Sequence, residues 1–255
     1  MNLTKRDKAE LALGSLIDSC EILAGLSGGV ENASGYDAYF VPETFWYNRV
    51  CLHGGDVSAL NETIETIASR VQSGELPPLL CWGDWDYEEK EISRILLRAG
   101  YVPMVTQKAM YISLEDRKEI PSKVEVEKIQ PLEAERWSDM TAKAFAKPPE
   151  TDGMKLLADL SECDFLVCRG EEEMIGGTLL ICKGENAGIH EVSTLPDYRR
   201  RGIGAALVNH AFDIAVKKGC KYATLQASEL GYPLYLSLGM EEVGCIHNWI
   251  MPMEH

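Results

Sequence analysis

Arg199, Arg200 and Arg201 stand in succession just before Gly202 and Gly204. The turn they form joins an apolar, strand-like run ending at Leu195 to a segment patterned as a helix from about Gly202 to Lys218. That arrangement is an anion site. Glycine lets the backbone approach a ligand closely, and the first turn of a helix presents unpaired N–H groups at the positive end of its dipole. The backbone N–H groups of Arg201, Gly202, Ile203, Gly204 and Ala205 are placed to converge on a phosphate or pyrophosphate. The spacing is neither a Walker loop, which needs GxxxxGK[ST], nor the dinucleotide fingerprint with its later acidic ribose ligand. Taken alone, a GxG at a helix start serves a tight strand-to-helix turn equally well.

The elements that must hold this turn are legible around it. Val124 to Ile129 alternates as a strand opening a domain, and a helix follows from about Leu132 to Ala146, broken by Pro148 and Pro149. A short helix is expected near Met154 to Leu160, and strands at Asp164 to Arg169, Met174 to Cys182 and Gly188 to Leu195. The long helix after the turn carries Ile203, Leu207, His210, Ile214 and Ala215 on one face. A strand at Tyr222 to Ala227, a short helix near Tyr232 to Leu238 and a strand from Glu242 to Met251 close the chain. The first half opens with an amphipathic helix from Met1 to Leu26. It later shows a helix (Val57 to Gln72), a strand (Leu79 to Trp82), a helix (Tyr87 to Arg98) and a strand (Lys108 to Leu114). Leu97-Arg98-Ala99-Gly100-Tyr101 matches Ser237-Leu238-Gly239-Met240 around its glycine, and Met110 and Trp249 each lie ten residues beyond that glycine. The match reads as a degenerate internal duplication, or as chance likeness between two αβ units, whose alternation is common.

Composition narrows the class. A length of 255 residues suits one large domain or two of about 125 each. The charged, proline-containing stretch 115–123 lacks apolar periodicity and is the expected linker, dividing the chain into 1–120 and 121–255. With 25 basic against 40 acidic residues and a net charge of −15, no broad basic face is available for nucleic acid, and the balance suits a cationic substrate mildly. No apolar run approaches the ~20 residues of a membrane span. Asp7, Lys8, Glu10, Asp18 and Glu21 interrupt any signal-peptide core, so a cytoplasmic protein with no membrane partner is expected. The eight cysteines include no CxxC and the five histidines no HxH or HxxxH, so reduced, buried thiols are expected and no metal site.

The run from Val192 to Gly204, Val-Ser-Thr-Leu-Pro-Asp-Tyr-Arg-Arg-Arg-Gly-Ile-Gly, resembles the acyl-CoA-binding motif of the GNAT superfamily of N-acyltransferases. The run from Thr224 to Met240 resembles that family's closing motif, with Met240 where an aromatic is usual. The resemblance covers about residues 124 to 251. It implies an α/β fold with a mixed, mostly antiparallel sheet flanked by helices, and acetyl-CoA as the acyl donor for a primary amine that attacks the thioester directly. The pyrophosphate of the donor would lie on the turn, with Arg199 holding it and Arg200 and Arg201 either reaching phosphates or remaining solvated. The pantetheine arm would pair with the backbone near Val192, Ser193 and Leu195, in a gap where the strand splays from Tyr222 to Ala227. Backbone N–H groups near Val192 and Ser193 would hold the oxyanion. Ser228 stands where many relatives carry an asparagine that contacts the pantetheine arm.

The chemistry needs a neutral amine, a stabilised oxyanion and a proton for the departing thiolate. Tyr235 matches the family's tyrosine acid, although Leu-Tyr-Leu on a short helix is also good packing. Glu191 is the candidate base, acting through water; a regular strand would turn His190 to the opposite face, so only one of the two would reach the cleft. A solvent-facing carboxylate is the plainer reading of Glu191. The first half carries no such turn: Cys51-Leu52-His53-Gly54-Gly55-Asp56 stands in its place, and Leu96 stands where Tyr235 would be. Asp56 is a good helix cap that repels phosphate. This half is therefore expected to be a GNAT-like fold that binds no acetyl-CoA, walls the cleft or extends the core, and buries most of Trp46, Tyr47, Trp82, Trp85 and Tyr87. The opposing expectation for the whole chain is a CoA-binding or regulatory module whose catalysis has lapsed.

Overall fold

The structure is a computed structural model and describes residues 3–54, 57–115, 117 and 121–253. Asp56 and much of the expected linker lie outside the described residues. In chain order the first elements are α1 (Lys5–Ser27), β1 (Gly29–Ala33), β2 (Tyr36–Phe40), β3 (Arg49–Leu52), α2 (Val57–Gln72), β4 (Leu79–Gly83), α3 (Glu89–Arg98) and β5 (Val102–Ser113). They are followed by β6 (Glu127–Lys128), α4 (Ala134–Phe145), α5 (Thr151–Ala158), β7 (Cys163–Arg169), β8 (Met174–Lys183) and β9 (Asn186–Thr194). The chain closes with α6 (Ile203–Lys217), β10 (Tyr222–Ala227), α7 (Tyr232–Ser237) and β11 (Glu241–Ile250). The architecture is mixed α/β, with mostly antiparallel pairing and flanking helices.

Two compact units form: residues 1–109 with 243–255, and residues 110–242. The division differs from a cut at 120 because Ile246 to Ile250 of β11 pair antiparallel with Gly83 to Leu79 of β4, which ties the chain's end into the first unit. In that unit β1, β2 and β3 pair antiparallel in succession, and β3 pairs parallel with β4. Thr4 caps α1 and exchanges bonds with Asp7, satisfying two of the helix's orphan donors. Leu60, Ile64, Ile67 and Val71 recur at helical spacing along α2 and are buried with Leu80, Trp82 and Trp249. Each such side chain contributes roughly 1.5–3 kcal/mol by leaving water. Among the expected core aromatics, Tyr47, Trp82 and Tyr87 are buried, while Trp46 and Trp85 are half-buried.

In the second unit β6, β7, β8 and β9 pair antiparallel, and β9 pairs parallel with β10. The opening strand expected over 124–129 is reduced to Glu127–Lys128, which meets only Val167 and Leu166 of β7. Ile203, Leu207, Ala211 and Ala215 of α6 pack with Leu180 and Ile189 on one face of the sheet. His210 and Ile214, expected on that same helix face, are half-buried. On the other face Trp137 of α4 donates from Nε1 to the Leu166 carbonyl at 3.0 Å and meets Phe165 edge-on. The order helix, three strands, helix, strand, helix, strand occurs in each half of the chain. That repetition accords with the duplication inferred from the matching glycine segments.

Candidate active site

The site begins with an irregularity in β9. Leu179 pairs with His190 and Gly177 with Ser193, so the single residue Thr178 stands opposite Glu191 and Val192 together. This is a β-bulge, and Glu191 occupies it with φ at +53°. Thr178 fixes it by donating from its hydroxyl to the His190 carbonyl at 2.8 Å. The bulge reverses the strand's alternation. Before it, Ile189 faces α6; after it, Val192 packs on the α6 side, while the Ser193 hydroxyl faces Met140 of α4 at 3.8 Å. His190 therefore faces α4, and Glu191 reaches the segment between α4 and α5. The expectation that these neighbours point to opposite faces fails because it assumed a regular strand.

Pairing between β9 and β10 ends at Gly188 and Thr224, although β9 continues to Thr194 and β10 to Ala227. The two strands thus splay where the bulge lies, as the gap for a pantetheine arm requires. The Leu195 N–H does not face this gap, because it donates to the Ile175 carbonyl on β8 at 3.0 Å. Ser193 shares that parity, and its hydroxyl also turns to β8, bonding the Gly177 carbonyl at 3.2 Å. Alternation assigns the open side to the backbone of Thr194, a residue the motif reading passed over. Leu195 and Ser193 are therefore corrected as backbone partners for a ligand in the gap.

A 3-10 turn at 196–198 leads into the arginines, and each arginine does something different. Arg199 donates to the Ala144 carbonyl at the end of α4 (2.9 Å) and to the Thr194 carbonyl (3.2 Å), so it braces the turn. Arg201 donates to the Asp197 carbonyl at 2.9 Å and lies 5.1 Å from the centre of the Tyr198 ring. Arg200, with φ at +64°, is exposed. Gly202 caps α6 in the left-handed conformation at φ +82°, where other residues are strained. No acidic residue stands in the first turn of α6 and no side chain caps it. The second glycine has a packing reason: a Cβ on Gly204 would lie 3.0 Å from Leu234 of α7. The cradle is thus a positive helix end with its donors facing outward, and it fits a pyrophosphate.

Tyr235 lies on α7 within the core of the second unit and is 6% exposed. Burial pushes its ionisation well above the ordinary phenol range, so it holds its proton at neutral pH. A Cβ on Gly231 would stand 3.4 Å from both the Tyr235 hydroxyl and the Ser228 hydroxyl, so these groups share one corner. Ser228 spends its hydroxyl locally, accepting from the Gly231 N–H at 3.2 Å.

The Glu191 carboxylate is not solvent-facing. Its Oε1 lies 2.9 Å from Nζ of Lys147, which also meets Glu150 Oε2 at 3.1 Å. Burial opposes the charge on Lys147, but the two carboxylates outweigh it and hold the ammonium above its ordinary value. His190 is 7% exposed, its Nε2 lacks a partner among the described residues, and burial pushes its pKa down to about 4. Lys147 and Glu150 were missed in the sequence because nothing in their types or spacing links them to a residue more than 40 positions away.

Residues 129–240 match the family model for the acetyltransferase (GNAT) family. An uncharacterized N-acetyltransferase of Methanocaldococcus jannaschii is 33% identical over 106 residues, covering 38% of this chain and 47% of that protein. Thialysine N-epsilon-acetyltransferase of Bos taurus is 29% identical over 70 residues, covering 26% of this chain and 41% of that protein. The chain thus spans less than half the length of each of these relatives. Among solved structures, a GCN5-related N-acetyltransferase from Kribbella flavida superposes with a TM-score of 0.73 at 17% identity, over 100% of this chain and 98% of that one. Another from Sphaerobacter thermophilus gives 0.63 at 17% identity, over 97% and 95%. Those two likenesses establish the fold.

Proposed function

We propose that the chain, whose residues 129–240 match the model of the acetyltransferase (GNAT) family, is a member of that family and transfers an acetyl group from acetyl-CoA to a primary amine. One observation carries the reading: the splayed end of β9 and β10 opens beside an acid-free helix end, with the buried phenol of Tyr235 on the helix after β10. Acetyl-CoA, when bound, supplies the activated acyl carbon. The N–H groups of Gly202, Ile203, Gly204 and Ala205 hold its pyrophosphate, with Arg200 the arginine at hand for phosphate and Arg199 the brace. The backbone of Val192 and Thr194 faces the gap for the pantetheine arm. Tyr235 keeps its proton in the neutral range and is the donor to a departing thiolate.

Glu191 is the proposed proton acceptor for the amine. In the resting chain its Oε1 is held by the Lys147 ammonium at 2.9 Å.

Calorimetric titration with acetyl-CoA, followed by thiol release over a panel of primary amines, tests the reading. Gly204→Asp, which places bulk against Leu234 and negative charge at the helix end, is expected to abolish acetyl-CoA binding. Tyr235→Phe is expected to preserve binding and to lower thiol release by about 10²-fold. Binding without thiol release for any amine would instead identify a CoA-binding module without catalysis, and unchanged turnover in Tyr235→Phe would remove the tyrosine from its role.

A further inference from the structure

Two buried carboxylates converge on one primary ammonium in the second unit. The side chains of Glu191 and Glu150 are 9% and 7% exposed, whereas that of Lys147 is 29% exposed. The anions are the built part of the arrangement, and the cation reaches them from the rim. Glu150 is the N-cap of α5 and Glu191 occupies the bulge of β9, so each is anchored to a helix or a strand. Lys147 comes instead from the connection between α4 and α5, after the left-handed residue Ala146 and ahead of two prolines. The Phe145 ring lies 5.6 Å from its Nζ. His190, on the face to which the bulge turns Glu191, adds a buried imidazole whose Nε2 has no partner among the described residues.

Buried anions are costly unless a cation is held against them, and Lys147 is held against both carboxylates. A durable tie between such groups is better made by arginine, whose planar fork binds a carboxylate bidentately. Lysine offers a point charge on a flexible stem. What the cluster holds is chemically a primary alkylammonium, against a residue of β9 beyond its last pair with β10.

We propose that Glu150 and Glu191 form a binding site for the primary ammonium of the acceptor, that Lys147 occupies this site in the resting chain, and that Lys147 leaves as the acceptor enters. The word acceptor rests on the transferase reading above; the ammonium site rests on the cluster itself. The substrate class is a cationic primary amine on an unbranched alkyl stem. Displacement of Lys147 also sets the acceptor's own ammonium against Glu191, the carboxylate proposed to take its proton, so that binding and alignment with the base are one event.

The test uses Lys147→Ala and n-propylammonium, which restores the three carbons and the amine that the substitution removes. Without acetyl-CoA, n-propylammonium is expected to raise the Tm of Lys147→Ala, to leave the native chain unchanged, and to lose its effect when Glu150→Gln and Glu191→Gln are added. An equal shift in the native chain, an equal shift with neutral n-propanol, or persistence in the glutamine variant would overturn the site. If Lys147→Ala does not fold alone, refolding with and without n-propylammonium reads the same occupancy: recovery only with the amine supports it, and equal yields overturn it. With acetyl-CoA, the KM for n-propylamine in Lys147→Ala is expected to fall about tenfold below that of the native chain, because an internal competitor for the site has been removed. An unchanged KM would overturn the displacement. A Tm shift combined with no acetyl-CoA binding and no thiol release would leave the ammonium site standing and remove the transferase reading instead.

Discussion

His190 and Tyr235 show how one physical cause, burial, acts oppositely on two titratable side chains. Burial disfavours charge, so it lowers the histidine's pKa and raises the tyrosine's. For His190 the consequence is a measurable pH dependence of stability. The ordinary value is 6.5 and the folded value about 4, so the unfolded chain takes up the proton first as the solution is acidified. The stabilisation is complete above pH 6.5 and is lost as pH falls from there through 4. Between pH 7 and 4.5 this one group is expected to remove about 2 kcal/mol. Urea unfolding of the native chain and of His190→Leu at both pH values checks it, and equal pH slopes in the two proteins would contradict it. The histidine was visible in the sequence as a neighbour of Glu191, but its burial and its face were not.

At the scale of elements, the bulge in β9 and the left-handed cap of α6 decide what the site can do. The glycines of the turn were legible because each answers a local demand. Gly202 sits at φ +82° and Gly204 meets Leu234. Gly202→Ala is expected to cost about 1–2 kcal/mol of stability, through strain at positive φ, and to weaken acetyl-CoA binding. Gly204→Ala presses only on the far end of a leucine and is expected to cost less. Thermal unfolding of the two variants side by side checks the order, and the reverse order would show that packing against α7, not the backbone conformation, governs the turn. The bulge was not legible, because Glu191 is a residue type with no preference for positive φ. It is held there by Thr178 on the adjacent strand, through a bond to the His190 carbonyl. Element order was read well where apolar periodicity is strong, as along α2 and α6. It was missed at 124–129, where alternation exists but only Glu127 and Lys128 find a partner strand.

For the whole molecule, the two units divide where strand pairing requires and not where composition changes. The segment from Val243 onward joins the first unit, and Trp249, 5% exposed, lies in that unit's core with Leu80 and Trp82. Trp249→Ala is accordingly expected to destabilise by about 3–5 kcal/mol, measured by denaturant unfolding. A cost within error of zero would mean that this strand end does not belong to the core. The register of the parallel pair β3 and β4 likewise sets Cys51 against Cys81, with 3.1 Å between the sulfurs, although the two stand 30 residues apart. No spacing rule reveals such a meeting.

The amino-acid sequence by itself determined the αβ alternation, the arginine-glycine turn at the head of a helix, and the tyrosine on the short helix beyond. These follow from period, backbone freedom and charge within about twenty residues of chain, over which local rules operate. Only the tertiary structure decided which groups meet across longer separations. It brought Lys147 and Glu150 to Glu191, turned Glu191 to the face that His190 occupies, and assigned Thr194 in place of Leu195 to the open strand edge. The physical reason is that these outcomes depend on strand register and on one bulge. A single extra residue in a ladder reverses every side chain beyond it.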